Sequence, residues 1–410
     1  MKIWIKLLIG SLVGVLIGNF LPQDNQLVLG VLTWLERLAL GIGRYAVVPI
    51  LVFSLIIAIY ELRQDGRFWS LVFRSFLVIA GSAVFVIAAG IIITLIFPPD
   101  RVPFFFEEQL EAVSLNPTDS IAALFPSNML QVLVSDGIYI LPVCVFAFFL
   151  GIGLTYDRNY TKPVIALVDS LSRIFYHIAS FFSEVLGFIM ISLAAYWAVR
   201  FKGAVQAEVF RDLITLLGVF SLVLGFGILP LFLYLLKPKT NPLAILYGSL
   251  GPAIAAFFSG DINFSLPVLL RHTKENLGVR RRSNAVTVSL FAVFGRAGSA
   301  MVAAIAFIVV IKSKSSLPIS MADIFSIGIR ALIISFFLAR HPGDGAYAAL
   351  AILCTGYGRG FETDYLILKP LAFYLIAVGA FLDIIIASFS TYVLARISGF
   401  QDDKSIRHFI

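Results

Sequence analysis

The sequence contains few charged residues and very little cysteine or histidine. Only 13 % of its 410 residues are charged, and it has 2 cysteines and 4 histidines. Soluble domains carry about 25 % charged residues. Two cysteines inside apolar stretches, without histidine or aspartate around them, form neither a disulfide framework nor a metal site. A P-loop, a His-Glu-x-x-His pair and a nucleophile elbow are missing as well, which argues against an ATP-driven pump and a hydrolase. The sequence does not predict an enzyme.

Apolar residues are abundant instead. The chain is 60 % hydrophobic and its mean hydropathy is +0.96, whereas soluble domains are about 45–50 % apolar. We therefore predict a polytopic integral membrane protein whose surroundings are the lipid bilayer. The net charge of +7 does not indicate a nucleic-acid partner, because the basic residues lie in short loops between apolar runs rather than on one face.

Long apolar runs predict the membrane spans, since a spanning helix needs about 20 apolar residues. The eight predicted spans are residues 3–21, 32–60, 71–97, 119–154 with a break, 164–199 in two pieces, 214–236, 285–311 and 365–396. Pro49 predicts a kink in the second span. The first span is a membrane helix rather than a cleaved leader, because no small-x-small cleavage pattern follows it.

The basic loop residues predict the orientation of the chain. Lysine and arginine are concentrated on one side of an alternating topology, at residues 2–6, 63–67, 158–162, 237–239 and 280–282. Cytoplasmic loops carry such an excess. The bias predicts a multi-pass protein of the cell (inner) membrane with a cytoplasmic amino terminus.

Four polar interruptions stand out in the carboxy-terminal half of the chain. They are residues 259–263, closed by Pro267, residues 295–299, residues 340–345, and the solitary Asp383. Ionisable side chains at bilayer depth are costly and mark substrate or ion sites by default. The glycine, serine and proline beside them indicate broken helices, which are tolerated there only when buried in protein or lining a cavity. We expect the four interruptions to converge on one pocket.

The interruptions occur in a pattern that repeats. A short apolar stretch from residue 243 breaks at 258–261 and returns through 266–270, and a polar-interrupted helix at 285–311 follows. A second short stretch from 324 breaks at 338–345 and returns through 346–354, before the helix that contains Asp383. Such paired, Gly/Pro-interrupted segments indicate an inverted repeat and a transporter site near the midplane. The predicted fold is all-α, with eight transmembrane helices and two re-entrant helical hairpins.

At these residues the chain resembles the glutamate transporter family, the dicarboxylate/amino acid:cation symporters, as a divergent member. The similarity extends over nearly the whole length. Its motifs are residues 49–54, residues 116–117 onward through 146–151, residues 265–268 and residues 341–346. The resemblance implies the glutamate transporter fold and a homotrimer with an elevator mechanism. It assigns residues 1–70 (helices 1–2) and 116–200 (helices 4–5) to a fixed scaffold. Residues 71–97 (helix 3), 210–240 (helix 6) and 241–396 (the transport core) would move, and the second hairpin would be the gate.

The chemistry of the site departs from the family pattern. The serine-rich first tip of the family is replaced by residues 261–263, Asp-Ile-Asn, and its sodium-binding element on helix seven by residues 295–299, which include Arg296. Asp383 falls on the aspartate that receives the α-amino group of the substrate. The family arginine three residues further, which binds a side-chain carboxylate, is Ile386 here. Two sodium-site positions of the family correspond to residues 390 and 394, which are serine and leucine.

These departures predict an altered coupling. We expect no metal or other cofactor, because the carboxylates that would hold sodium are largely lost and a guanidinium 4 Å away repels a cation by about 4 kcal/mol. We hypothesise that Arg296 is a tethered cation that neutralises Asp383 or Asp261, and that Arg296 or Arg340 binds a carboxylate with its bidentate fork. Coupling would pass to protons through Asp261, Asp344 or Asp383, or be absent. The alternative is a structural ion-pair network without a ligand.

The predicted function is secondary active transport of small carboxylates or amino acids, such as glutamate, aspartate and dicarboxylates. The candidate residues for binding this small-molecule substrate are Asp261, Asn263, Arg296, Arg340, Pro342, Gly343, Asp344, Asp383 and Ser390. Ile386 leaves a neutral amino acid carrier as an alternative. An ion channel is a second alternative, since residues 355–358, Thr-Gly-Tyr-Gly, echo a potassium filter. The valine of that filter is missing, so a glycine-rich turn is the simpler interpretation.

Overall fold

The computed structural model describes residues 2–22, 25–103, 122–134, 137–206, 208–235, 241–315 and 319–402, with 404 and 409. The predicted turn at 116–117 and the basic residues at 237–239 lie outside these ranges. The α-helices of the described residues are α1 (Ile3–Phe20), α2 (Gln26–Arg44), α3 (Val47–Gln64), α4 (Phe68–Ile96), α5 (Leu141–Gly153), α6 (Arg158–Gln206), α7 (Arg211–Leu222), α8 (Leu229–Leu235), α9 (Pro242–Ser259), α10 (Ile262–Glu275), α11 (Arg281–Phe294), α12 (Ala297–Lys314), α13 (Met321–Ser335), α14 (Gly345–Tyr357) and α15 (Ala372–Ile397). A π-helical segment, Val223–Ile228, joins α7 to α8.

The all-α membrane fold is confirmed. Eight helical stretches of the described residues are long and apolar enough to cross a membrane: Ile3–Phe20, Gln26–Gln64, Phe68–Ile96, Asn159–Ala204, Glu208–Leu235, Pro242–Ser259, Arg281–Lys314 and Asp364–Ile397. Seven of them coincide with predicted spans. The remaining one, Pro242–Ser259, is the first arm of the predicted first hairpin. This arm has 18 residues and is long enough to cross a membrane, whereas the sequence predicted a shorter stretch.

The predicted fourth span, residues 119–154, is interrupted as predicted, but among the described residues it contains no helix long enough to cross a membrane. Among the described residues it is α-helical mainly in α5, which has 13 residues, and it contains the 3₁₀ segment Met129–Val134. The physical reason is a series of turn-forming residues. Gly137 has a left-handed φ of +70°, and Pro142 stands at the start of α5, where a missing N–H costs nothing.

The structure differs from the prediction in two further helices. The span at 164–199 is one continuous helix, α6, with 49 residues rather than two pieces. Its single proline, Pro163, precedes the predicted stretch, so nothing inside that stretch breaks the helix. The second span separates into α2 and α3 at residues 45–46. Pro49 has no N–H to bond the carbonyl of Tyr45, which is why a new helix starts at Val47 with the proline in its first turn.

The two predicted hairpins and the broken helix form as expected. Gly260, with φ +65°, joins α9 to α10 through a left-handed turn that an L side chain rarely adopts. The 3₁₀ segment Leu338–Arg340 and residues 341–344 join α13 to α14. The seventh predicted span is interrupted between α11 and α12 at residues 295–296. Because α12 is buried on all sides from Ala297 to Ile311, this break lies inside the protein.

Candidate functional site

The tip of the first hairpin is organised around Asp261. Its Oδ1 accepts hydrogen bonds from the backbone N–H groups of Asn263 and Phe264, at 2.7 and 3.1 Å, and so caps the start of α10. Its Oδ2 accepts from Nε of Arg44 at 2.6 Å and also from Nη2 of that residue. Asp261 is 0 % exposed. The charge of this buried carboxylate is therefore balanced by the last residue of α2.

Asn263 connects the same tip to the segment before α5. Its side-chain amide donates to the carbonyl oxygens of Gly137 and Ile138, at 2.9 and 2.8 Å. Both amide hydrogens are thus used within the protein. In this arrangement Asn263 fixes the position of the first tip.

A second buried carboxylate, Asp383, lies at the break between α11 and α12. Its Oδ1 accepts from the backbone N–H groups of Gly298 and Ser299, at 2.6 and 3.1 Å. Its Oδ2 accepts from the Ser299 hydroxyl at 2.6 Å and from Nε of Arg296 at 3.1 Å. Asp383 belongs to α15, so it caps α12 from a neighbouring helix, where the helix dipole favours a negative charge.

Arg296 links this cluster to the second hairpin. Its Nη2 donates to the carbonyl oxygen of His341 at 3.2 Å. A Cβ added at Gly345 would lie 2.2 Å from the same Nη2, so only glycine leaves room for the guanidinium. Arg296 therefore occupies the amino-terminal end of α14. The side chain of Asp344, which precedes α14, makes no capping hydrogen bond there, unlike Asp261 on α10.

The two hairpin tips touch each other. The backbone N–H of Ile262 donates to the carbonyl oxygen of Pro342 at 3.1 Å. A Cβ added at Gly343 would lie 3.5 Å from Oδ2 of Asp261, which shows how closely the second tip covers the first. The structure thus brings the four polar interruptions together. It does so in a closed contact, because Asp261, Arg296 and Asp383 are each at most 1 % exposed.

Three of the predicted site residues lie outside this contact. Arg340 is exposed, and its guanidinium lies over the ring of Tyr139, 5.6 Å from the centroid. Asp344 is exposed and lies 3.1 Å from the His341 ring. Ser390 is buried on α15, seven residues or about 10 Å along the helix from Asp383.

Arg44 is the site residue that the sequence reasoning missed. It is the last residue of α2, and its side chain is 19 % exposed. The signal for it is an arginine inside the predicted span 32–60, five residues before the proline at which a new helix begins. With Arg44 included, the two ion pairs among the described residues of this cluster comprise two guanidinium groups and two carboxylates, whose formal charges sum to zero.

Comparison with known proteins agrees with this architecture. The model of the sodium:dicarboxylate symporter family matches residues 3–395 of the chain. The chain is 25 % identical over 224 residues to the neutral amino acid transporter A of Homo sapiens, which covers 53 % of this chain and 41 % of that protein. It is 24 % identical over 258 residues to the proton/sodium-glutamate symport protein of Bacillus subtilis (strain 168), which covers 57 % of this chain and 58 % of that protein. The chain therefore spans about half the length of these relatives.

Proposed function

Because this chain belongs to the sodium:dicarboxylate symporter family, we propose that it is a secondary active transporter of small carboxylates or amino acids. The observation that carries the proposal is the ion pair between Arg296 and Asp383, with Nε 3.1 Å from Oδ2. Both side chains are 1 % exposed, and they lie at a helix break between two hairpin tips. Buried charges of this kind in a membrane protein mark a substrate or ion pathway.

Arg296 is proposed to act as a built-in cation in place of bound sodium. Its guanidinium already provides the positive charge that Asp383 needs, and it would repel a metal cation at the same position. One relative is named a proton/sodium-glutamate symport protein, whereas the arrangement of Arg296 and Asp383 favours coupling to protons or no coupling. Arginine suits the role because its charge persists at every physiological pH.

The substrate carboxylate is proposed to bind between Arg296 and the start of α14. The Nε of the guanidinium is engaged by Asp383, whereas its Nη2 faces the second hairpin. The first amide groups of α14 and its dipole favour an anion at this end. Opening of the second hairpin would expose both groups together, which is why we assign the gate to residues 324–353.

A neutral amino acid is the second candidate substrate, and the charge balance of the core favours it. The charges of the two guanidinium groups and the two carboxylates sum to zero. A zwitterionic amino acid also has no net charge, so its binding leaves the buried site neutral. A dicarboxylate would bring two uncompensated charges, whose burial is costly. The position of the family arginine for a side-chain carboxylate is Ile386, which is 1 % exposed and apolar. One relative is named a neutral amino acid transporter.

The transport movement is proposed to be an elevator within a homotrimer. Helices α1–α3, α5 and α6 would form the scaffold, and α4 with α7–α15 would move, with the amino terminus in the cytoplasm of the cell (inner) membrane. Two contacts cross the proposed boundary at the first tip: Arg44 with Asp261, and the Asn263 amide with the carbonyl groups of residues 137 and 138. These contacts would have to break as the core moves.

A thermal-shift screen of the purified protein tests the substrate class. Amino acids and dicarboxylates are added one at a time, each with and without sodium. We expect one chemical class of carboxylate to stabilise the protein, and we expect neutral amino acids to be among the compounds that bind. The stabilisation should be the same with and without sodium. Absence of stabilisation by any carboxylate or amino acid would contradict the proposed function.

A further inference from the structure

An open groove of about 380 Å³ lies where the start of α4 meets the end of α15, away from the hairpin tips. Its lining consists of Arg67, Ser70, Leu71, Arg74 and residues 397–400. We call it the arginine groove. None of its residues belongs to the site described above.

The lining of the arginine groove is strongly cationic. Among the described residues, the lining contains two guanidinium groups and the hydroxyls of Ser70 and Ser398, and no carboxylate. Nη1 of Arg74 donates to the Ser398 hydroxyl at 3.4 Å, and the guanidinium of Arg67 lies over the Phe400 ring at 5.7 Å. Both arginines are exposed. Hydrogen-bond donors from two sides thus face the same open space.

Nearby arginines differ from these two in having carboxylate partners. Arg280 pairs with Asp402 at 2.9 Å, and Arg282 pairs with Asp65. For Arg67 and Arg74 the ion pairs found among the described residues include no acidic partner. The two charges are therefore available to an external anion.

The position of Arg67 also calls for an anion. Arg67 precedes the first residue of α4, a 29-residue helix, and its side chain makes no capping hydrogen bond. The amino-terminal end of a helix carries a partial positive charge and free N–H groups, so a cation there is unfavourable and an anion is favourable. An anion in the groove would relieve this repulsion and accept hydrogen bonds from the helix end and both guanidinium groups.

The surroundings of the groove are those of a membrane edge. Trp69, Phe73 and Ile397 are 60, 66 and 62 % exposed, although all three are large and apolar. Tryptophan is enriched at the level of lipid headgroups, and basic pockets between helices on the cytoplasmic side bind anionic headgroups. We propose that the arginine groove binds the phosphate group of an anionic phospholipid, whose acyl chains lie along the exposed apolar side chains beside it.

The test uses the full-length protein purified in a neutral detergent. Thermal unfolding is followed during titration with dioctanoyl phosphatidylglycerol, dioctanoyl phosphatidylcholine or inorganic phosphate. We expect phosphatidylglycerol alone to raise the unfolding temperature. The variant Arg67→Gln/Arg74→Gln should need at least about tenfold more of this lipid for the same effect, because it loses two charge-assisted contacts.

The matched control is Arg63→Gln/Arg101→Gln, which changes the net charge equally but removes two exposed arginines outside the groove. It should respond like the wild type. The proposal is overturned if the groove variant also responds like the wild type, or if phosphatidylcholine stabilises as well as phosphatidylglycerol. If inorganic phosphate stabilised the protein as much as phosphatidylglycerol does, the proposal that the anion comes from a lipid would be overturned. If the groove variant does not fold, the variant Ser70→Ala/Ser398→Ala is tested instead. We expect phosphatidylglycerol to stabilise this variant less than the wild type. Equal stabilisation of the two proteins would overturn the proposal.

Discussion

Arg44 and Asp261 form an ion pair that connects the end of α2 to the tip of the first hairpin, with Nε 2.6 Å from Oδ2. The carboxylate is fully buried and the guanidinium is 19 % exposed. In the proposed elevator Arg44 belongs to the fixed scaffold and Asp261 to the moving core. The pair would then stabilise the closed arrangement seen here and would have to separate during each transport cycle.

Replacement of Arg44 by glutamine should destabilise the protein. Removing one partner of a buried ion pair costs about 3–5 kcal/mol, and we expect the lower end of this range because Arg44 is partly exposed. Thermal unfolding of Arg44→Gln, Asp261→Asn and the double variant measures the coupling between the two side chains. The control Arg37→Gln removes an exposed arginine from the same helix. A coupling energy below about 0.5 kcal/mol would show that the pair contributes little.

Replacement of Arg296 by methionine should abolish transport. The methionine keeps much of the side-chain volume but leaves the charge of Asp383 unbalanced in a buried site, at a cost of about 3 kcal/mol or more. We expect the initial uptake rate in liposomes to fall at least about 100-fold. Arg296→Lys keeps the charge and loses the bidentate fork, so it should retain part of the activity. Uptake by Arg296→Met at the wild-type rate would show that Arg296 has no role in transport.

Substitution of Gly345 by alanine tests the space that Arg296 requires. The new methyl group would lie 2.2 Å from Nη2, and the guanidinium, held by Asp383 and the His341 carbonyl, would have to move. We expect substrate affinity to fall about tenfold, equivalent to roughly 1.4 kcal/mol. Gly356→Ala is the control on the same helix, because its added Cβ would be 3.6 Å from its nearest neighbour. Equal affinity of the two variants would place the guanidinium outside the binding site.

Substitutions of Asp383 and Ser390 should have very different effects on substrate affinity, although both residues are predicted binding residues on α15. Asp383→Asn keeps the size of the side chain but removes the charge that Arg296 needs, so binding of an α-amino acid should weaken at least about 100-fold. Ser390→Ala should change affinity by less than about threefold, because Ser390 lies nearly two turns from the cluster. Isothermal titration calorimetry with the best ligand of the screen measures both. Similar losses for the two variants would mean that the site extends along α15.

The hairpins and the helix break could be predicted from the sequence because their causes are local. Glycine at the first tip and at residue 295 interrupts apolar runs. At membrane depth such an interruption indicates a broken helix that is buried in protein or lines a cavity. Asp383 could be recognised for the same reason, as a single carboxylate in an apolar helix. These features needed no knowledge of which helices are neighbours.

The partners of the charged residues could not be predicted, because they depend on packing between distant segments. Arg44 and Asp261 are 217 residues apart in the chain, and the place where α2 ends decides whether they meet. Arg340 ends a 3₁₀ segment of only three residues, which is too short for the direction of its side chain to be inferred from sequence spacing. It lies over Tyr139, while the neighbouring carbonyl of His341 contacts Arg296. The sequence led to the hypothesis that Arg296 is a tethered cation but left its partner open between Asp261 and Asp383.

The proposal that Arg296 takes the place of sodium is tested most directly by uptake in liposomes. The wild-type protein is reconstituted, and initial uptake of the ligand found in the screen is measured with an inward sodium gradient and with choline in place of sodium. We predict equal rates of uptake under the two conditions. Uptake that occurs only in the presence of the sodium gradient would contradict it.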